Sequence, residues 1–252
     1  MKNIVLLLLV VSPFQLIYAQ EFNGSIFYQS LIKYVYEDPL PTSAVHILEC
    51  KGNQSLFYQK TDTIWLPDKD IYCISSPEMI KKNYPQEGLL TYKNIIEKIS
   101  CYYTEPIPNF DWEMLDGDSI ICDYPCKKAQ TTFRGRTWIV WYSEDLPYND
   151  GPWKLCGLPG LILKATDVNK DFSFTAFKIS KQVSPKEVQF SLKGYVKTTP
   201  QQYAKDMTLF RKDPWGFYEM RTGKRHGNVS FDDKPYTPPS ETACLLEYFN
   251  EK

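Results

Sequence analysis

Runs of aromatic and β-branched residues, each bounded by turn residues, recur along the chain and constrain its fold more than any other feature. The clearest pair covers residues 127–133 and 137–142, joined around Arg134-Gly135. A second hairpin turn is expected at Asp116-Gly117. Turn signals recur about every eight to twelve residues, which predicts an antiparallel sheet. Further strands are expected at residues 22–36, 43–50, 55–60, 63–74, 89–103, 110–115, 119–122, 161–166, 172–179 and 189–196.

The connection at residues 143–160 is longer than the four to six or so residues typical of such links. Gly151-Pro152 opens its second half, and Gly157-Leu-Pro-Gly160 ends it before an apolar β-type run. Pro159-Gly160 fits the central positions of a type II turn, in which the glycine takes a positive φ. We therefore predict a bend docked onto a sheet, which is either functional or a packed plug. Its structural motif consists of Gly151, Pro152, Gly157, Pro159 and Gly160.

Sequence blocks in and before this connection resemble the GLPGLI family of exported bacterial envelope proteins. The blocks are Cys126-Lys-Lys-Ala129, Phe133-Arg-Gly-Arg136, Gly151-Pro152-Trp153 and the hexapeptide at 157–162. Proteins of that family look similar to the bowl domain that precedes the catalytic part of some glycan-releasing amidases, and to incomplete barrels of periplasmic lipoprotein carriers. The resemblance implies a mainly β fold, with a curved antiparallel sheet that is bowl-like or an incomplete barrel. It carries no established activity.

The ends of the chain have a different composition. Residues 1–19 have the charged start, apolar core and small-residue end of a secretory signal peptide. Their apolar run is too short to span a membrane, so we predict cleavage, no transmembrane span in the mature chain, and location in the periplasm, at the cell surface or in the medium. One β-rich domain is expected at 20–212, with one or two short helices, one of them beginning at Thr199-Pro200. Prolines, glycines and charges predict a loosely ordered tail at 213–252.

Composition limits the chemistry. The formal net charge of −1 gives no electrostatic reason to bind nucleic acid. Two histidines far apart and no zinc-type cysteine spacing predict neither a metal site nor a cofactor. The chain has seven cysteines, so at least one is unpaired within the chain. Cys122 and Cys126 are a candidate disulfide: a strand would hold them about 13 Å apart, whereas a turn at Tyr124-Pro125 would bring them together.

Candidate ligand-binding residues lie in or near the long connection. Trp141 and Trp153 offer stacking faces, Arg134 and Arg136 offer hydrogen-bond donors, and Leu158 and Pro159 belong to the bend. In the alternative interpretation the tryptophans fill the core and Arg136 pairs with an acid such as Glu144.

Three functions follow from these features. The first is a non-enzymatic exported protein that holds an apolar or amphipathic ligand, or an envelope partner, on a concave sheet. The second is a carbohydrate- or glycopeptide-binding module, which predicts a platform rimmed by amides and acids. The third is a hydrolase, which requires an exposed low-pKa Cys156 or facing carboxylates. The carboxylates available by type are Asp116, Asp118, Glu144, Asp145 and Asp150.

Overall fold

One large sheet dominates the computed structural model, which describes residues 23–33, 41–60, 63–66, 71–74, 78–96, 99–182, 188–223 and 247. The strands are β1 (Gly24–Ile32), β2 (Thr42–Lys51), β3 (Gln54–Gln59), β4 (Thr63–Leu66), β5 (Ile71–Ile74), β6 (Met79–Lys82), β7 (Leu89–Ile96), β8 (Ile99–Pro106), β9 (Glu113–Ile121), β10 (Tyr124–Phe133), β11 (Arg136–Ser143), β12 (Leu161–Asp167), β13 (Phe172–Ser180) and β14 (Val196–Lys197). Two helices follow, α1 (Pro200–Lys212) and α2 (Pro214–Thr222).

Within the described residues, twelve strands form a single open sheet in the order β14-β8-β7-β6-β3-β2-β1-β13-β12-β11-β10-β9. Neighbouring strands are antiparallel, except that β14 runs parallel to β8. The separate pair β4–β5 forms a small hairpin. The mainly β fold with an antiparallel sheet and two short helices is confirmed.

The sheet curves around the connection between β11 and β12, residues 144–160, which we call the plug. Trp153 packs against Trp138 of β11 with ring centroids 5.5 Å apart. The next residue, Lys154, donates to Glu105 of β8 at 2.6 Å. These two strands are eight positions apart in the sheet order, which would separate them by about 38 Å in a flat sheet. Trp153 and Lys154 are adjacent in the chain and yet contact β11 and β8, so the sheet must bend into a bowl whose inside holds the plug.

The plug completes the main apolar core. Trp153, Leu155 and Leu158 are buried against the inner face of the sheet. Burial along β11 alternates as the period of two requires, with Trp138, Val140 and Tyr142 buried on the inner face. The Tyr28 hydroxyl of β1 donates to the carbonyl of Ile162 at 2.7 Å, which holds the start of β12, directly after the plug, against β1.

Several local predictions are confirmed. The predicted hairpin joins β10 to β11, and hairpins also join β2 to β3 and β12 to β13. Helix α1 begins as predicted, because the Thr199 side chain accepts the backbone N–H of Gln202 at 3.1 Å and Pro200 occupies the first turn.

Other local predictions are wrong. Gly117 lies inside β9 with φ 131°, next to a register shift against β10, so it forms a bulge rather than a hairpin turn. Of residues 189–196, only Val196 belongs to a strand. Helix α2 occupies the start of the predicted loose tail, because Asp213 caps it and Phe217 is buried.

The predicted signal peptide lies outside the described residues, as do 224–246 and 248–252 of the predicted tail. In the parts of the chain that the structure describes, no helix has both the length and the apolar character needed to cross a membrane.

Candidate functional site

The first anchor of the plug is a buried ion pair between Asp150 and Lys82 of β6. The Asp150 carboxylate also accepts the hydroxyl of Ser55 from β3. The Lys82 ammonium donates further to the carbonyls of Gly151 and Leu155, both at 3.1 Å. All three N–H groups of Lys82 are thereby used, so this ammonium fixes the plug rather than acting as a base.

The second anchor is Lys154, whose side chain is fully buried. It donates to Glu105 at 2.6 Å and to the Tyr103 hydroxyl at 2.9 Å, and pairs with Glu247. Arg134, on the β10–β11 turn, pairs with the same two carboxylates. Burial alone would raise the pKa of Glu105, but Lys154 and Arg134 outweigh burial and hold that pKa below its usual range.

Arg136 forms a third buried ion cluster. Its guanidinium donates to Asp167 at 2.7 Å and to Asp171 at 3.1 Å. Both acids come from the β12–β13 hairpin, so the cluster joins that hairpin to β11. The predicted pairing of Arg136 with Glu144 is wrong, because Glu144 pairs with Lys127 on the surface at 2.7 Å. With 3% of its surface exposed, Arg136 is not placed to bind a ligand.

The other predicted ligand-binding residues are not brought together. Trp153 and Leu158 are each 1% exposed inside the bowl. Trp141 is half-buried on the opposite face of β11, with the ammonium groups of Lys128 and Lys164 within 5.7 and 4.8 Å of its ring centre. Pro159 is exposed at the end of the plug. The structure thus favours the interpretation in which these side chains build the fold.

The glycines of the plug are required mainly by close approach. A Cβ at Gly160 would lie 2.1 Å from the carbonyl oxygen of Ser143. A Cβ at Gly151 would lie 2.7 Å from the Cβ of Ile162. Pro152, next to Gly151, is buried. Gly160 has no left-handed φ, so the predicted type II turn is wrong, whereas Gly157 has φ 97°. The bend is real, but tight contact with the end of β11 is what makes glycine necessary at position 160.

Cys122 and Cys126 are free thiols rather than a disulfide. The turn lies at Cys122-Asp123, both with positive φ, two positions earlier than the predicted turn at Tyr124-Pro125. The resulting register places Cys126 opposite Ser119, and its thiol donates to the carbonyl of Tyr124 at 3.4 Å. Cys122 therefore lies in the turn and does not face Cys126 across the hairpin.

An open pocket of about 420 Å³ lies at the rim of the bowl, where the plug meets three turns of the sheet. We call it the amide-lined pocket, because asparagine side chains surround it. Asn53 comes from the β2–β3 turn, Asn83 from the end of β6, Asn109 from the segment after β8, and Asn149 from the plug. The remaining wall and floor consist of Lys82, Ile107, Pro108, Tyr148, Asp150, Cys156 and Gly157.

Two of these asparagine side chains, Asn83 and Asn149, make hydrogen bonds that hold the rim of the pocket together. The Asn83 side chain accepts the N–H of Gly88 at 3.0 Å and donates to the carbonyl of Asn53. The Asn149 side-chain oxygen accepts the N–H of Gly157, and its NH₂ group has no acceptor among the residues that the structure describes. The exposed side chains of Asn53 and Asn109 make no hydrogen bond within the described residues. The pocket therefore offers both amide donors and amide acceptors to a ligand.

An aromatic side chain supports the pocket from below. The Trp112 indole donates to the carbonyl of Cys156 at 2.9 Å, and its N–H lies 3.2 Å from where a Cβ on Gly157 would be. Tyr148 is half-buried, and its hydroxyl lies 3.2 and 3.3 Å from the carbonyls of Gly52 and Gln54. These contacts fix the walls of the pocket before any ligand binds.

The thiol at the floor of the pocket is not an activated nucleophile. Burial raises the pKa of Cys156 to about 11, and its sulfur lies 3.9 Å from the carbonyl of Pro108. Thiolate catalysis requires a lowered pKa. This position therefore gives no support to the hydrolase hypothesis.

A second groove, of about 510 Å³, lies at the sheet edge and is lined by three of the candidate carboxylates, Asp118, Glu144 and Asp145. Glu144 is engaged by Lys127, and both side chains are largely exposed. Of the remaining candidates, Asp150 is buried in the first anchor of the plug. Among the described residues, no group of histidine, cysteine, aspartate and glutamate side chains is arranged to hold a metal ion.

Sequence reasoning missed the asparagines of the amide-lined pocket. Each lies at or beside a turn, where asparagine is common for reasons of backbone conformation alone. Asn83, for example, has φ 55°. Their shared feature is a position at the ends of chain segments that only the folded sheet brings together.

The chain matches one protein-family model and is similar to solved structures. Among curated proteins, none matches this chain. Two solved structures of PNGF-II, in space groups P21 and C2, are each 17% identical over 73% of this chain, with TM-scores of 0.49 and 0.47. The chain spans 32% of the length of those proteins. Residues 73–205, more than half of the 252 residues, match the family described as N-glycanase peptide, N-terminal domain, and the chain belongs to that family.

Proposed function

We propose that this protein is a non-enzymatic carbohydrate- or glycopeptide-binding module whose binding site is the amide-lined pocket. The observation that carries the proposal is the convergence of four asparagine side chains on one open pocket; two of them make no hydrogen bond to any described residue. Sugar hydroxyl and acetamido groups both donate and accept hydrogen bonds, as amides do. The family name, which refers to an N-glycanase, supports the same ligand class.

The interior of the bowl gives less support to an apolar ligand. The plug fills the concave face with Trp153, Leu155 and Leu158, all at 1% exposure or less. An apolar ligand would have to displace these side chains, and burying each of them contributes about 1.5–3 kcal/mol to stability. A polar ligand at the rim requires no such rearrangement.

The size of the pocket limits the ligand. A volume of about 420 Å³ falls in the lower part of the range for small-molecule sites, which suits one or two sugar rings. Each hydrogen bond to an exposed amide contributes about 0.5–1.5 kcal/mol. We therefore expect weak, specific binding of a short glycan segment rather than tight capture.

The test compares an N-glycosylated peptide with the same peptide after removal of its glycan, by calorimetry or by chemical-shift titration. The double variant Asn53→Ala/Asn109→Ala should lower affinity for the glycosylated form about tenfold, the sum of two lost hydrogen bonds, and leave the melting temperature nearly unchanged. Gln130→Ala is the matched control, because it removes an amide on β10 that pairs with Glu113 outside the pocket. Equal loss in the control, or equal binding of both peptides, would refute the proposal.

Two further predictions stay open beside this proposal. Export to the periplasm or cell surface is proposed from residues 1–19, and the GLPGLI resemblance is proposed from the blocks between Cys126 and Ile162. An envelope protein remains a candidate partner in addition to a glycan.

A further inference from the structure

A buried charge cluster lies at the mouth of the bowl, apart from the amide-lined pocket. Ion pairs join four side chains: Lys154 from the plug, Arg134 from the β10–β11 turn, Glu105 from β8 and Glu247 from the C-terminal part of the chain. Glu78 also interacts electrostatically with Lys154 and Glu247. None of the four lines the amide-lined pocket. Glu247 reaches both cations at once, with Oε1 at Lys154 and Oε2 at Arg134.

Lys154 depends on Glu247 for one of its three acceptors. Its ammonium is 0% exposed and contacts the Tyr103 hydroxyl, Glu105 and Glu247. Aromatic rings surround the rest of it, with the centres of the Tyr103 and Trp153 rings 5.0 and 5.6 Å away. An ammonium N–H left without an acceptor in such surroundings is strongly unfavourable, so the position left by Glu247 demands an anion.

Arg134 orients the carboxylate that occupies the Glu247 position and connects that position to solvent. Its side chain is 21% exposed, and it follows Phe133 into a turn with φ 45°. A guanidinium directs fixed N–H groups toward a carboxylate, while the ammonium supplies a point charge on the other oxygen. Burial would lower the pKa of Arg134, but Glu247 and Glu105 outweigh burial and raise it, as expected of a site built around carboxylates.

We propose that Lys154 and Arg134 form a carboxylate-binding site, which Glu247 fills from within the chain and for which the carboxylate of a ligand competes. The ligand class is a small monocarboxylate group, carried by an acidic sugar or by an acidic amino-acid side chain. The proposal does not rest on the amide-lined pocket, because the two sites share no residue.

The test uses Glu247→Ala, which deletes the atoms of one acetate ion, and acetate as the probe. Sodium acetate should raise the melting temperature of this variant saturably by about 3–5 °C over sodium chloride of equal ionic strength. The wild type should respond much less, because Glu247 already occupies the site. Glu144→Ala is the matched control, since Glu144 belongs to an exposed ion pair, and its response should equal that of the wild type.

The double variant Glu247→Ala/Arg134→Gln should lose the acetate response, which separates a two-point site from general anion stabilisation. Glucuronate and N-acetylglutamate, tested in the same way, distinguish the sugar source from the amino-acid source. Equal acetate shifts in Glu247→Ala, Glu144→Ala and wild type would overturn the proposal. If Glu247→Ala is insoluble, its recovery on refolding in acetate but not in chloride supports the site, and failure in both salts refutes it.

Discussion

The plug and the amide-lined pocket use polar residues in opposite ways. In the plug, Asp150 and Lys154 are buried and bonded to several partners each. At the pocket rim, Asn53 and Asn109 are exposed and make no hydrogen bond within the described residues. The two regions share residues 148–150, Cys156 and Gly157, which belong to the plug and line the pocket.

This difference distinguishes polar residues that stabilise the fold from polar residues that are available to bind a ligand. A buried charge that has all its partners contributes to a unique fold, and a ligand can bind it only by displacing one of those partners. An exposed amide costs little to maintain and retains its donors and acceptors. Residues with conspicuous sequence signals, such as Trp153, Arg136 and Gly160, build the fold here, whereas the asparagines at common turn positions offer groups for binding.

The largest effect should come from the plug backbone. Gly160→Ala places a Cβ 2.1 Å from the carbonyl oxygen of Ser143, so we expect a loss of about 4 kcal/mol or more in the free energy of unfolding, measured by urea denaturation. Gly194→Ala is the control, because no atom lies within 4 Å of its added Cβ and only the φ of +83° opposes it. That control should lose about 1 kcal/mol. Equal losses would mean that the plug is not tightly held.

Removing a buried cation should cost nearly as much. Lys82→Met leaves the Asp150 carboxylate buried without its ammonium partner, and such changes cost about 3–5 kcal/mol. Lys127→Met breaks the exposed pair with Glu144 and should cost less than about 1 kcal/mol. Urea denaturation of both variants at neutral pH gives the comparison. A small loss for Lys82→Met would contradict its role as an anchor.

The interior also predicts a pH dependence. Burial lowers the pKa of His46 from 6.5 to about 4, and Ser30 Oγ lies 2.8 Å from its Nδ1. Below about pH 6.5 the unfolded chain binds a proton that folded His46 does not accept until about pH 4. Stability from this group is therefore complete above pH 6.5 and falls by about 3 kcal/mol as the pH decreases to about 4.

Urea denaturation of wild type and His46→Phe across that pH range tests the prediction. Phenylalanine does not titrate and can stack on Phe57, as His46 does at 5.1 Å. The variant should lose much less stability than the wild type between pH 6.5 and 4. Parallel pH profiles would show that His46 is not the group responsible.

The smallest effect on stability is expected at the pocket rim. Asn109→Ala removes an exposed side chain that has no hydrogen bond within the described part of the chain. Its free energy of unfolding should change by no more than about 0.5 kcal/mol, measured by the same denaturation. A loss of several kcal/mol would place Asn109 with the plug rather than with the binding surface.

The sequence predicted local structure better than side-chain roles. The period of two and the turn residues were sufficient for the hairpin β10–β11, and Thr199-Pro200 was sufficient for the start of α1. Gly117 was misassigned because a bulge and a hairpin turn both require a glycine with positive φ.

Side-chain roles failed for a different reason. A strand pattern shows which residues share a face, but not what covers that face. The sequence made Trp153 and Arg136 candidates for ligand binding, but the sheet covers Trp153 and the β12–β13 hairpin covers Arg136. Asp150 and Lys82 are 68 positions apart in the chain, and no local pattern connects residues at that distance.

The order of strands in the sheet has a consequence for how the chain assembles. Strand β1 pairs on one side with β2, which follows it closely, and on the other with β13, which ends at Ser180. A chain that grows from its N-terminus must therefore carry its first strands with one open edge and an uncovered apolar surface until most of the sequence has been made. Contacts this distant in sequence slow folding and lengthen the time at risk of aggregation, so the bowl is completed by the hairpin that arrives last.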